Sequence, residues 1–170
     1  RETGNHLFGL ESRRPLRDFD AVGFSLPYEL GASNILEMLD LGGIPVLAAE
    51  RGADDPIVIG GGASLVNPEP LADFYDLIVI GEGEEILPAL LAELRDLRSA
   101  SPDWRPAFLK SAATREGVYV PAFYQPAYRP DYSYAGIASR DPAAPPEIRR
   151  LHVDIDHHVR PLNPLVASTE

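Results

Sequence analysis

The sequence predicts a doubly wound α/β domain, with helices covering both faces of a parallel sheet. Two short β-branched runs, Asp55-Pro56-Ile57-Val58-Ile59-Gly60-Gly61-Gly62-Ala63-Ser64 and Asp76-Leu77-Ile78-Val79-Ile80-Gly81-Glu82-Gly83-Glu84-Glu85, each end abruptly in glycine. Continuous apolar runs of this length read as strands buried on both faces, as in parallel sheets. Short strands also alternate with amphipathic helical stretches along the chain, which implies βαβ units with right-handed crossovers.

The elements follow in order. Residues 20–26 form a first strand that runs into Pro27. From Glu29 to Leu41, the positions Leu30, Ile35, Leu36, Met38, Leu39 and Leu41 give a helix with one apolar face, stopped by Gly42-Gly43. Residues 44–48 read as a short second strand, 57–59 as the next, and residues 71–74 as a helical turn after Asn67-Pro68-Glu69-Pro70. After the strand 77–80, Glu84 and Glu85 open a helix whose face is Ile86, Leu87, Leu90, Leu91, Leu94 and Leu97. Acidic residues suit its first turn, and Arg95 and Arg98 its last. Pro102 breaks the chain, and 104–115 is a further short helix. From Gly117 the texture changes: residues 117–120 and 132–137 read as an extended pair, in a region holding eight of the 17 prolines, and 148–155 as one more strand. The expected organisation is therefore a main domain over 1–116, an edge β-hairpin over 117–140 and an extended connector over 141–170.

Composition narrows the function. At 170 residues the chain buries on the order of 70% of its unfolded surface, so it needs neither disulfide nor metal to fold. It has no cysteine, which excludes a disulfide framework, a thiolate zinc site, a cysteine nucleophile and an iron–sulfur cluster held by these residues. A net charge of -11 opposes binding to nucleic-acid phosphates or an anionic membrane. No apolar stretch approaches the ~20 residues of a membrane span, and no signal-peptide pattern opens the chain, so a cytoplasmic location is expected. The chain begins in a polar stretch at Arg1, and Met38 is its only methionine, which reads as a fragment.

Two glycine-rich strand ends side by side suggest a cofactor shelf, since open α/β sheets bind ligands at the carboxyl ends of their strands. Gly60, Gly61 and Gly62 could instead make a tight turn with no ligand, although three glycines exceed what a turn requires. Gly81-Glu82-Gly83-Glu84 leaves room above the second strand, while Glu85 acts as a partner of the helix dipole. Neither loop matches the P-loop or the dinucleotide fingerprint. With carboxylates at Glu82 and Glu84, a neutral or hydroxyl-rich group suits the site better than a phosphate. His152, Asp154, Asp156 and His158 share one face if extended, which would allow a metal, but a solvated strand face is the stronger reading. His6 reads as a surface residue, and Ser25 and Ser64 have no nearby histidine to activate them.

Several stretches resemble a known family. Leu10-Glu11-Ser12-Arg13-Arg14-Pro15-Leu16, Val22-Gly23-Phe24-Ser25-Leu26-Pro27-Tyr28-Glu29-Leu30, Asn67-Pro68-Glu69-Pro70-Leu71-Ala72-Asp73-Phe74, the two glycine loops and Gly117-Val118-Tyr119-Val120-Pro121 together resemble the N-terminal, cobalamin-binding-like region of radical S-adenosylmethionine (SAM) proteins. The resemblance covers residues 8–124 well and the connector loosely. It implies a Rossmann-like or flavodoxin-like domain, truncated at its first βα unit, that packs on a radical SAM barrel of the same polypeptide. It also implies cobalamin as a cofactor, with a 4Fe-4S cluster and SAM in the parent protein. The cofactor residues it implies are Ser25 and Leu26, Gly60, Gly61 and Gly62, and the Gly81, Glu82, Gly83 and Glu84 loop. Two departures stand out. The serine–leucine element is Ser25-Leu26-Pro27 rather than Ser-x-Leu, and the Asp-x-His-x-x-Gly loop that supplies cobalt's lower ligand is absent, as is the three-cysteine cluster motif. The chain by itself is therefore expected to be catalytically inert, an accessory domain of an enzyme whose reaction is unassigned. The competing reading is a vestigial docking domain with an empty crevice, and a nucleotide-binding module is a distant third.

Overall fold

The computed structural model describes residues 6–153 of the chain. Its main sheet runs in the order β1 (Ala21–Ser25), β2 (Ile57–Gly61), β3 (Leu77–Val79), β4 (Val118–Tyr119). The first three strands are parallel, with Gly23 opposite Ile59 and Ser25 opposite Gly61, and β4 is antiparallel to β3. Helix α1 (Ala32–Leu41) follows β1, and α2 (Ile86–Ala100) and α3 (Trp104–Ala113) both lie between β3 and β4. The pair of helices accounts for the direction of β4. One helix returns the chain for a parallel strand, and a second reverses it again. The molecule is thus a doubly wound, Rossmann-like α/β domain whose mixed sheet carries an antiparallel edge strand, an arrangement common in this architecture.

Side-chain alternation along the strands splits the core into two layers. Phe24, Val58 and Ile78 point to one face, where Ile35 and Leu39 of α1 pack with Leu26, Leu65 and Tyr75. Ile57, Ile59, Leu77 and Val79 point to the other, against Leu90 and Leu94 of α2 and Trp104 and Phe108 of α3. Both faces of β2 and β3 are buried, which is why their sequences read as unbroken apolar runs. Each such side chain contributes roughly 1.5–3 kcal/mol. Pro88 and Pro106 each occupy the third position of their helix, where the missing N–H had no intrahelical partner to lose.

At the amino edge of the sheet three charged residues are buried together. Asp76, at the start of β3, accepts from Arg51 at 2.9 Å, from Arg105 at 2.7 Å and from the Val58 amide at 2.7 Å. Arg51 also donates to the carbonyls of Pro45, Val46 and Phe74, and Arg105 to those of Gly52, Asp55 and Pro56. Burial pulls the Arg51 pKa below its ordinary value, and the Asp76 carboxylate opposes that shift. The clasp corrects the expected second strand over residues 44–48. Carbonyls that a neighbouring strand would have bonded go to Arg51 instead, and the chain passes into a 3-10 turn at Ala48–Glu50. The helix expected from Glu29 is also shorter, a 3-10 turn at Glu29–Gly31 preceding α1.

Beyond the sheet, β5 (Tyr124–Tyr128) and β6 (Tyr134–Ser139) form a separate antiparallel hairpin. The expected pairing of 117–120 with 132–137 is corrected, because Val118 and Tyr119 pair with β3 and the partner of β6 is the Pro126-containing strand. In a two-stranded ribbon every strand is an edge, so a proline nitrogen can face outward without breaking the ladder. Of the strand expected over 148–155, the described part makes a single parallel bridge, from Leu151 to Gly81.

Tyr75 is buried, and its hydroxyl has no hydrogen-bond partner among the described residues. Burial pushes its pKa up to about 12, and burial and the Glu69 carboxylate raise that of Tyr119. Because the folded value lies above the unfolded one, this stabilisation is complete below about pH 10 and is lost as pH rises toward 12. Tyr75→Phe should leave stability at pH 7 unchanged or slightly higher and remove about 2–3 kcal/mol of the alkaline loss. Urea denaturation at pH 7, 10 and 11.5 measures both effects.

Candidate functional site

The carboxyl ends of β1, β2 and β3 meet the first turns of α2 across a cleft of about 540 Å3. Ser25, Gly60, Gly61, Gly62, Gly81, Glu82, Gly83 and Glu84 all line it, so the structure brings eight of the nine residues singled out in the sequence to one place. Leu26 is not among them. Its side chain is buried in the core, and only its backbone serves the site, donating to the Gly61 carbonyl at 2.7 Å and accepting from the Ser64 amide at 3.1 Å.

The glycines have different causes. Gly62 has φ +104°, and a Cβ there would lie 2.7 Å from the Leu26 carbonyl oxygen. Gly81 has φ +113° and faces the backbone of Leu151, with which a Cβ would overlap. A Cβ on Gly60 would meet Leu65 and Tyr75 at 2.9 Å. These three are required by the chain's own packing. Gly61 is different: its Cβ would find only the Val79 carbonyl oxygen, at 3.8 Å, and Gly23 beside it has nothing within 4 Å. Both have ordinary φ and open space above them, so nothing among the described residues requires glycine at either. Together they make a flat backbone floor on the α2 side of the sheet.

Ile59 and Val79 flank that floor, and Leu87 and Leu91 of α2 form the opposite wall. Gly23 and these two leucines join the site without having been singled out in the sequence. A glycine inside a strand pattern often marks close approach by a ligand or another backbone, and that signal was present in Val22-Gly23-Phe24. Among the described residues no basic side chain lines the cleft, and the charged groups that do are Glu82 and Glu84. The surface therefore fits a flat, uncharged ring system carrying hydroxyl or amide donors, with Ser25 at one end and the carboxylates at the other.

The loop after β3 that lines the cleft is also bonded to the chain's own return. The Leu151 amide donates to the Ile80 carbonyl at 2.9 Å, its carbonyl accepts from the Glu82 amide at 3.3 Å, and the Glu82 carboxylate accepts from the Val153 amide. Glu82 is thus both a lining residue and an anchor for residues 151–153.

A second cavity, of about 520 Å3, lies over the amino-edge clasp. Arg51 and Arg105 on its wall spend their bonds on carbonyls and Asp76, which makes it a weaker candidate. Among the described residues no group of His, Asp and Glu could hold a metal. Of the histidine and aspartate face considered above, only His152 is described, and it is exposed; Asp154, Asp156 and His158 lie outside the described residues. Among the described residues no helix is long and apolar enough to cross a membrane.

Comparison with protein families decides the relationship. The family described as radical SAM proteins, N-terminal, matches residues 1–121. The chain belongs to this family. No curated protein and no solved structure matches it. Membership makes this radical SAM N-terminal domain an accessory part of a radical SAM protein, whose chemistry uses a 4Fe-4S cluster and SAM. With no cysteine in the sequence, its own residues do not fit a thiolate-held cluster.

Proposed function

We propose that this radical SAM N-terminal domain binds a cobalamin-like cofactor in the cleft at the carboxyl edge of its sheet and holds it beside the radical SAM barrel of the same polypeptide. The observation that carries the reading is the pair Gly23 and Gly61, at which packing among the described residues does not require glycine and whose absent side chains leave a flat floor opposite Leu87 and Leu91. A nucleotide-tail base stacked on that floor would bury apolar ring surface on both faces. Its ribose and amide groups would meet Ser25, Glu84 and the backbone of Gly62 and Gly83. When bound, cobalamin supplies a cobalt-centred redox and group-transfer centre, while the domain's own residues bind and orient it. The division into main domain, ribbon and connector is part of this proposal, with the boundary expected at 116 moved past β4, which belongs to the main sheet, the ribbon ending near 140, and the ribbon and connector leading toward the barrel.

Equilibrium dialysis of the full-length radical SAM protein against hydroxocobalamin tests the reading. Retention at micromolar concentrations is expected, with weaker retention by the 170-residue chain alone. Absence of retention by the full-length protein would leave the docking role as the function.

A further inference from the structure

The return of the chain over the end of β3 has features of a separable latch. It contacts the main sheet edge-on: beyond Ile80, whose amide bonds to the Gly117 carbonyl at 2.8 Å, β4 has turned away, and Leu151 takes its place beside Gly81 and Glu82. Two glycines are shaped around this one residue. A Cβ at Gly81 would overlap the Leu151 backbone, and one at Gly117 would overlap its side chain. Both glycines have positive φ, +113° and +72°, so the notch is built into the backbone on both sides. Among the described residues the fastening consists of two backbone bonds, one side-chain bond and three half-buried apolar side chains, Ile148, Leu151 and Val153. Flanking residues His152 and Arg150 are exposed.

We propose that residues 148–153 form a latch that opens without unfolding the sheet, with Glu82 as its catch, and that the latch is coupled to occupancy of the cleft. Glu82 is the positioning residue because it belongs to both structures. One carboxylate oxygen holds the Val153 amide, which fixes the side chain and leaves the other oxygen to accept from a hydroxyl in the cleft. A seated latch therefore prepares the cleft, and by reciprocity an occupied cleft tightens the latch. The coupling rests on the cofactor reading above; the latch itself does not.

Amide hydrogen exchange, resolved by residue on the 170-residue chain, tests the latch. Glu82→Ala deletes the catch and Val153→Pro deletes the donor. Each should speed exchange of the Leu151 amide about tenfold, the double variant no more than either single one, and amides of β2 should be unaffected. Equal acceleration in β2, or none at Leu151, would overturn the latch. In the full-length protein, saturating hydroxocobalamin should slow Leu151 exchange at least fivefold in the wild type and not in Glu82→Ala. Retention of the cofactor with unchanged exchange would overturn the coupling. Failure to retain it would overturn the cofactor reading and with it the coupling, while the exchange of the unliganded variants still decides the latch.

Discussion

Replacing Asp76 with alanine should lower the melting temperature by about 10–15 °C, the largest loss expected from any single side-chain truncation in this domain. The carboxylate is shared by Arg51, Arg105 and the Val58 amide, and its removal leaves two buried guanidinium groups without their bonded carboxylate, only the weaker field of Asp55 remaining on Arg51. Breaking a buried ion pair from one side costs about 3–5 kcal/mol, and in a domain of this size each kcal/mol moves the transition by roughly 2–4 °C. The loss should be strongly non-additive: Arg51→Met on the Asp76→Ala background should recover part of it, because it removes the stranded charge. Differential scanning calorimetry of the two variants measures both effects.

Gly62→Ala should cost about 2–4 kcal/mol, whereas Gly61→Ala one residue away should cost less than about 1 kcal/mol. At Gly62 the backbone has φ +104° and ψ 169°, a region that only glycine enters readily, and the Leu26 backbone leaves no room for a Cβ. At Gly61 the backbone is ordinary strand and the space is open. Chemical denaturation curves give both values. Equal losses would mean that the triplet acts as a single turn and that Gly61 is not reserved for a ligand.

These residues also show how much the sequence carried. The strands read at 57–59 and 77–80, which the structure places at Ile57–Gly61 and Leu77–Val79, were legible because burial on both faces leaves unbroken apolar runs. The convergence of Ser25 with the two glycine loops followed from topology, since parallel strands end at one edge of the sheet. What was hidden depends on contacts distant in sequence. Nothing in the local sequence joins Arg51 to Asp76 and Arg105, and once they are folded together its donors take the carbonyls that a strand at 44–48 would have used. Gly81 was read as space for a ligand, while the group nearest to it is Leu151, 70 residues later, and Glu82 serves the same segment. The direction of β4 depends on counting two helices rather than one, and Pro126 disguised the strand that pairs with β6. Gly61 reads the same in either setting. Only the structure separates it from Gly62.

The account rests most heavily on the open floor at Gly23 and Gly61, and one comparison addresses it directly: retention of hydroxocobalamin by the full-length protein, wild type beside Gly61→Val, with the melting temperature of each. A Cβ at this strand position finds only the Val79 carbonyl oxygen, at 3.8 Å, and opens onto the cleft, so the fold of Gly61→Val should survive with a change of only a few degrees, while its methyl groups occupy the surface on which the cofactor ring would lie. The predicted result is a near-wild-type transition with retention reduced at least a hundredfold. Wild-type retention by a well-folded Gly61→Val protein would contradict the account and move the cofactor, if it binds at all, away from this cleft.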